Sequence, residues 1–245
     1  MAPFIALGMG AALSGCAYMN DYGEVGGEPF AEFDPGDSAP TAIELAGPDR
    51  VVIVDGDGFD IALEGDREAG EALRFSRDGD TLTIARDSSI FDGSGRATVR
   101  LTMPSPRIFE LAGSGTIDAD SLAPSGDIEI AGSGRVTVDR IVADTLDVEI
   151  AGSGKVAGAG SAQRLTIEIA GSGDVDFTAL TADDANIEIA GSGDVRLSSD
   201  GKVHAEIAGS GDVVVSGSAD CSLESAGSGT LRCDNTRTAM GGAGK

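Results

Sequence analysis

The sequence predicts an all-β protein, in which an N-terminal β cap is followed by a β-solenoid of about seven regular coils with two strands per coil. The tetrapeptide Ala-Gly-Ser-Gly occurs seven times, at intervals of 18 to 20 residues. Apolar and polar residues alternate on both sides of it, as they do in strands. Glycine accounts for 37 of the 245 residues, about twice its usual share, which is typical of a fold with many tight turns.

Each repeat predicts two short strands joined by a glycine turn. The apolar residues favour the positions five, three and one before the repeat alanine, and five and seven after it; the copy at Ala170 has Leu165, Ile167 and Ile169, then Val175 and Phe177. One such unit cannot bury both of its apolar faces alone, so we expect the units to stack with parallel strands around a thin core. A β-propeller or a sandwich fits less well, because a blade needs about 40 residues and a sandwich needs unlike strands.

The glycines on either side of the turn serine are expected to adopt backbone angles that other residues avoid. The repeated serines between them have no neighbouring base and are interpreted as turn residues rather than nucleophiles. The predicted turn glycines are Gly113, Gly115, Gly132, Gly134, Gly152, Gly154, Gly171, Gly173, Gly191, Gly193, Gly209, Gly211, Gly227 and Gly229.

The amino terminus predicts export. Residues 2–15 are uncharged and mostly apolar, too short to span a bilayer but suited to a signal peptide. Leu13-Ser14-Gly15-Cys16 resembles the lipobox of bacterial lipoproteins, which implies a signal peptide over 1–15, lipid attachment at Cys16 and an envelope location, with Ala17 favouring the outer membrane. A signal peptide usually has Lys or Arg before its apolar run, and none is present here. A start codon placed too far downstream would explain their absence. The alternative is an ordinary cleaved signal with a coincidental cysteine.

The rest of the chain divides by composition. Residues 16–41 are acidic and rich in Gly and Pro, which predicts a flexible linker. We expect one folded domain over 42–233, with a cap and irregular coils over 42–106, regular coils over 107–233, and a disordered tail over 234–245. Strands are expected near 51–54, 59–63, 73–76, 81–84 and 97–103, and the Gly-Ser-Gly at 93–95 is interpreted as a degenerate repeat.

Several segments together resemble the head GIN domain family, also labelled putative autotransporter adhesin. They are GFDI at 58–61, DTLTI at 80–84, ATVRLTMP at 97–104, and the Gly-Ser-Gly series with aspartate after it at 174, 194 and 212. The resemblance spans about 42–233. It implies a right-handed parallel β-helix on an envelope-anchored protein, and it implies no catalytic residues.

The charge and composition of the chain argue against several classes of partner and of site. There are 41 acidic residues against 17 Lys plus Arg, for a net charge of −24, and a single histidine. This argues against a nucleic-acid partner and against docking on anionic lipid, and leaves little material for a metal site or a serine triad. We therefore expect no cofactor and no metal site built on histidine or cysteine ligands.

A glutamate precedes every repeat alanine by two residues, so alternation predicts one column on the outer face of one strand. Neighbouring Asp127 and Asp147 add to it, with no Lys or Arg on that face, and His204 is expected there as a solvated side chain. Either the column is a solvated face, or it binds Ca²⁺ or a cationic partner weakly. The seven glutamates are Glu110, Glu129, Glu149, Glu168, Glu188, Glu206 and Glu224.

Cys221 and Cys233 occupy core positions that are symmetric about the last turn. In an oxidising compartment they are expected to form a disulfide that closes the last coil; the alternative is two buried free thiols.

These observations predict a non-enzymatic, lipid-anchored envelope protein that acts as a scaffold or as a binding or adhesion surface for an envelope protein or a polysaccharide. The rival hypothesis is a carbohydrate-active β-helix enzyme, which the short loops and regular repeats disfavour.

Overall fold

The computed structural model describes residues 26–91 and 93–235. It is all-β, as predicted, with sixteen strands in one continuous sheet and one short helix. The elements are β1 (Ala42–Gly47), β2 (Arg50–Asp55), β3 (Asp60–Gly65), α1 (Arg67–Glu71), β4 (Leu73–Asp78), β5 (Thr81–Arg86), β6 (Ala97–Met103), β7 (Ile108–Gly113), β8 (Thr116–Leu122), β9 (Ser125–Gly132), β10 (Arg135–Gly152), β11 (Lys155–Gly171), β12 (Asp174–Gly191), β13 (Asp194–Gly209), β14 (Asp212–Gly217), β15 (Asp220–Gly227) and β16 (Thr230–Asn235).

The regular part is the predicted solenoid. Each of β10 to β13 runs from one Gly-Ser-Gly turn to the next and pairs in parallel with the coils before and after it. Ile128 is in register with Val148, Val148 with Ile167, and Ile167 with Ile187, and all four side chains are buried. Equivalent residues of successive coils therefore form single files through the core, which confirms the stacking inferred from the repeat.

The glycine turn keeps the layers in register through backbone hydrogen bonds. Ser153 N donates to the Gly132 carbonyl oxygen of the preceding layer at 2.8 Å, and Ser172 N donates to Gly152 O at 2.7 Å. Gly152 itself has φ +129°, and a Cβ on it would overlap the same Gly132 oxygen. Glycine is required here because the backbone conformation and the neighbouring layer both exclude a side chain.

The coils differ in length at the bend opposite the glycine turn. The pairing of β12 with β13 shifts register between Phe177 and Thr181 and again between Ala182 and Asp184, and β10 and β11 shift once between Val138 and Ile141. Repeats of 18 to 20 residues are therefore accommodated at this bend, while the turn keeps a constant length.

The first two strands in the sequence do not form the outermost layer of the solenoid. β1 lies between β5 and β7, and β2 lies between β6 and β8. The strands β3 and β4 then pair antiparallel with β6 and β5. The N-terminal end of the solenoid is thus formed by two antiparallel strands joined through α1.

Two connections of the cap are equivalent to an Ala-Gly-Ser-Gly turn. Ala46 and Gly47 are in register with Ala112 and Gly113, so the turn after β1 is one of them. The Gly-Ser-Gly at 93–95 lies in the other, the longer connection between β5 and β6, since these strands are in register with β1 and β2. A buried ion pair holds this region: Asp49 accepts hydrogen bonds from the Arg86 guanidinium and from Ala97 N, the latter at 2.8 Å.

Residues 28–33 differ from the flexible linker that was expected over 16–41. Glu28 and Phe75 exchange two backbone hydrogen bonds, each of 2.8 Å, and the rings of Phe30 and Phe33 lie 5.3 and 5.5 Å from that of Phe75. Their apolar side chains cover β4, which alternation alone could not indicate in a segment without a strand pattern. Residues 1–25, with the predicted signal peptide and Cys16, lie outside the described residues, as do residues 236–245.

Candidate binding face

The seven predicted glutamates lie in one column across the outer face of the sheet. The register pairs each glutamate with its equivalent in the next coil, from Glu110 with Glu129 to Glu206 with Glu224. Parallel strands are about 4.8 Å apart, so the carboxylates follow one another at nearly that spacing.

An eighth glutamate extends the column. Glu44 is in register with Glu110, is only 4% exposed, and accepts a hydrogen bond of 2.9 Å from Thr83 Oγ1. Sequence reasoning missed Glu44 because its copy lacks the Gly-Ser-Gly turn, although Glu44-Leu45-Ala46-Gly47 retains the rest of the pattern. We name Glu44, Glu110, Glu129, Glu149, Glu168, Glu188, Glu206 and Glu224 the glutamate column.

A second column runs beside the first, two residues earlier on each strand. Its members change from Asp127 and Asp147 to Thr166, Asn186 and His204 along the rod. The negative charge of the face is therefore densest around Glu129 and Glu149. At the other end, His204 Nε2 lies 3.2 Å from Glu206 Oε1, and its Nδ1 lies 2.9 Å from Ser222 Oγ.

Burial, and after it the repulsion between neighbouring carboxylates, raises the pKa values of several acidic groups on this face. Partial burial, followed by the charges of Asp127, Glu110 and Glu149, raises the pKa of Glu129 from 4.5 to about 7. Burial also raises the pKa of Asp127, although the charge of Arg107 opposes this. Desolvation is the first cause in each of the other raised carboxyls, because it penalises the charged form. These are Glu44, Glu110, Glu149 and Glu188.

The face is not free of basic residues, contrary to the expectation. Arg164 and Lys202 lie in register with Asp184, in a column near the bend and two residues before Thr166 and His204. These side chains line part of a shallow groove of about 370 Å³. Arg164 and Lys202 each lie six positions before a repeat alanine, which places them on the outer face. Counting only the positions two and four residues before the alanine in the sequence therefore missed them.

The described residues contain no group of three or more His, Cys, Asp or Glu side chains arranged to hold a metal ion. The glutamates of the column follow the rod axis one per layer, so neighbouring carboxylates do not converge from several directions as the oxygen ligands of Ca²⁺ do.

The turns and the cysteines lie where the repeat places them, but an unusual backbone conformation is confirmed only for the first glycine of each turn. The second glycine does not have a positive φ; at Gly154, a Cβ would instead overlap the side chain of Ile130 in the preceding layer. The turn serines are exposed, and those from Ser133 onward give their backbone N–H groups to the preceding layer. Cys221 and Cys233 form a disulfide between β15 and β16, with their Cα atoms 6.6 Å apart. The last coil is therefore closed covalently.

A family model, described as "Putative auto-transporter adhesin, head GIN domain", matches residues 39–219. The chain belongs to this family. The matched part of the head GIN domain runs from just before β1 to just before β15 and contains the glutamate column as far as Glu206. A comparison with curated proteins finds no match.

Several solved structures have the same fold. A putative adhesin from Bacteroides fragilis NCTC 9343 is 21% identical, with 80% of this chain and 93% of that chain covered and a TM-score of 0.71. A putative lipid binding protein from Parabacteroides distasonis ATCC 8503 is 22% identical over 80% and 93% of the two chains, with a TM-score of 0.62. A putative adhesin from Parabacteroides merdae ATCC 43184 is 16% identical over 80% and 92%, with a TM-score of 0.57.

These solved structures are named as putative adhesins or as a putative lipid binding protein, and their likeness to this chain is one of fold. In the described part of this head GIN chain, no helix has the length and apolar character needed to cross a bilayer.

Proposed function

We propose that the protein is a non-enzymatic, lipid-anchored envelope protein whose rigid solenoid presents a binding or adhesion surface. The observation that carries this proposal is the unbroken register of outward side chains, which repeats the same chemistry in every layer from Glu110 to Glu224. A surface of this kind suits an extended partner, because contacts at equivalent positions add along its length. The family name and the names of the relatives agree with it.

Lipid attachment at Cys16 would orient the rod. Residues 28–33 pack on the cap, so the chain approaches the solenoid at its N-terminal end. The nine residues 17–25 would reach at most about 30 Å if extended. The cap would therefore lie nearest the lipid surface, and the disulfide-closed coil would be the end furthest from the anchor.

The chemistry of the face favours a basic partner. Carboxylates whose pKa values are raised by burial and by one another are stabilised when positive charge replaces the missing counter-charge. The glutamate column supplies this over the seven successive layers from Glu110 to Glu224, and Arg164 and Lys202 mark where the face becomes mixed. The comparisons give no support to the rival carbohydrate-active enzyme.

Anchoring is tested by labelling cells with a palmitate analogue while they express the full chain or its Cys16→Ser variant. The proposal predicts label in the membrane fraction for the native chain, and loss of both label and membrane association for Cys16→Ser. Label retained in Cys16→Ser would contradict lipidation at this residue.

The binding face is tested with a fluorescent oligolysine peptide at several salt concentrations. Glu149→Gln, Glu168→Gln and Glu188→Gln combined should weaken binding about 10-fold at low salt, since opposite charges across a contact are removed. The matched control combines Asp174→Asn, Asp194→Asn and Asp212→Asn. It changes the net charge equally, but directly after the glycine turns rather than before them. Equal losses in both variants would show attraction to total charge alone and overturn the assignment of the face.

A further inference from the structure

The two ends of the solenoid are finished differently. The N-terminal end is closed by the antiparallel strands β3 and β4, by α1 and by residues 28–33. At the other end, β15 pairs with β13 and β16 pairs with β14, and no further strand of the described residues pairs with either. The outer edges of β15 and β16 therefore present backbone N–H and C=O groups without a strand partner, which is the usual template for pairing with another chain.

The files of core residues continue to this end of the solenoid, where their last members are exposed to solvent. Leu223 is in register with the buried Ala205 but is 40% exposed, and Ser225 is exposed although it is in register with Ile207, which is 2% exposed. Leu231 and the disulfide are only partly buried against the core. An apolar side chain at the centre of an unpaired strand edge is the feature that β proteins normally cover or replace by charge.

The residues that follow β16 are poorly suited to covering this end. Their sequence is Thr-Arg-Thr-Ala-Met-Gly-Gly-Ala-Gly-Lys at 236–245, with one large apolar residue, three glycines and no alternation. Each regular coil supplies apolar residues at five core positions instead. A second solenoid end supplies what is missing, namely a strand edge with its own Leu223.

We propose that this end is an interface that binds the same end of a second copy of this chain. The two copies are related by a two-fold axis through Leu223, and β15 pairs antiparallel with β15 of the second copy. A two-fold contact uses one surface twice, so it must be self-complementary.

The side chains of β15 meet this requirement. In a register centred on Leu223, Ser222 lies opposite Glu224 of the second copy and Asp220 lies opposite Ala226. No like charges face each other directly, a pairing that would destabilise a sheet. On the core side, Leu223 meets Leu223 and Cys221 meets Ser225. A head-to-tail contact is disfavoured because the cap presents α1 and residues 28–33 rather than a matching parallel edge.

The contact is expected to be weak in dilute solution. The contact joins one strand edge of each copy through few apolar side chains, so a dissociation constant on the order of 100 μM is expected. Each copy carries a net charge of −24, and association should therefore strengthen when salt screens the repulsion.

The test is cross-linking of the full chain in detergent solution, at several hundred micromolar, with a short bis-maleimide. Leu223→Cys places two thiols at the two-fold axis and should give a dimer within minutes. Val142→Cys is the matched control, because Val142 is also an exposed apolar residue, 63% exposed, but lies on the side of the rod. It should react with a monofunctional maleimide and give at least 10-fold less dimer.

A second variant tests the contact itself. Leu223→Asp places like charges opposite each other and should reduce dimerisation at least 10-fold, measured by cross-linking through an added Ser222→Cys, whose two copies lie one residue to either side of the axis. Its melting temperature should stay within about 2 °C of that of the parent, since Leu223 is exposed in a single copy. A Leu223→Cys thiol that reacts fully with monofunctional maleimide but gives no dimer, or equal dimer from Val142→Cys, would overturn the proposal.

Discussion

Replacing Gly152 by alanine should destabilise the solenoid far more than replacing the adjacent Ser153. Gly152 has φ +129°, and an added Cβ would overlap the carbonyl oxygen of Gly132. That oxygen also accepts the 2.8 Å hydrogen bond from Ser153 N, which links two layers. The substitution therefore strains the backbone and disturbs an interlayer bond together.

The magnitude follows from these two effects. A non-glycine residue at such a positive φ costs about 1–2 kcal/mol, and weakening one backbone hydrogen bond costs about 1 kcal/mol. The reduced entropy of the unfolded chain returns about 0.5 kcal/mol. The free energy of unfolding should thus fall by about 2 kcal/mol, or about 4–8 °C in Tm for a domain of this size.

Thermal and urea unfolding followed by circular dichroism measure this effect. Two controls isolate it. Ser153→Ala removes an exposed side chain and keeps the backbone donor, and Gly58→Ala adds a Cβ where nothing lies within 4 Å. Both should stay within about 0.5 kcal/mol of the parent. If Gly152→Ala unfolds at the same temperature as these controls, the account of the turn is wrong.

Four further predictions concern the column and the two ends of the domain. The folded pKa of Glu129 lies above the ordinary 4.5, at about 7, so the folded state holds a proton that the unfolded state releases. Stability should fall as pH rises from 4.5 to 7, and Glu129→Gln should flatten that slope. One pKa unit corresponds to 1.36 kcal/mol, so the raised pKa of Glu129 changes the free energy of unfolding by ~3 kcal/mol at most. Solvent screening of this partly exposed group reduces that change to about 1–2 kcal/mol. In urea titrations, Arg86→Leu should cost about 3–5 kcal/mol because it leaves the buried Asp49 carboxylate unpaired, and the double variant Arg86→Leu/Asp49→Leu should recover part of the loss. Reducing Cys221–Cys233 should lower stability by about 3 kcal/mol in the chain-entropy model, with no effect of reductant on a Cys221→Ala/Cys233→Ala protein. Ca²⁺ at 1 mM should shift Tm by less than about 1 °C, and a shift of several degrees would instead support a cation site.

The regular coils were predictable because one sequence motif of 18 to 20 residues is repeated along the chain. Alternation around each repeat alanine gives the buried files, and identical spacing gives the glutamate column from Glu110 onward. Each strand pairs with its own copy one repeat away, so local pattern and long-range contact carry the same information.

The irregular end was predictable only in part. Strands were expected where β2 to β6 lie, but β1 was missed, and periodicity could not show that β1 and β2 would insert between β5–β6 and β7–β8. That order depends on long-range pairing rather than on any local pattern. The helix α1 was also missed, since five residues capped by Asp66 give too short a signal.

One residue of the candidate face and one part of the cap could not be predicted from the sequence, for the same reason. Glu44 belongs to the column through the register of β1 with β7, and its own turn has Pro48 and Asp49 where the other coils have Ser and Gly. Phe30 and Phe33 cover the cap through a single bridge at Glu28. In both cases the tertiary contact, not the local sequence, decides the position.

The most direct test of the account is a set of distances between spin labels placed in pairs at equivalent outer positions. Labels at Glu110 and Glu149, at Glu110 and Glu188, and at Glu110 and Glu224 lie two, four and six layers apart in the register. At about 4.8 Å per layer, the Cα separations should be roughly 10, 19 and 29 Å. A linear increase is the predicted result, whereas distances that do not grow with the number of repeats would contradict the stacked coil.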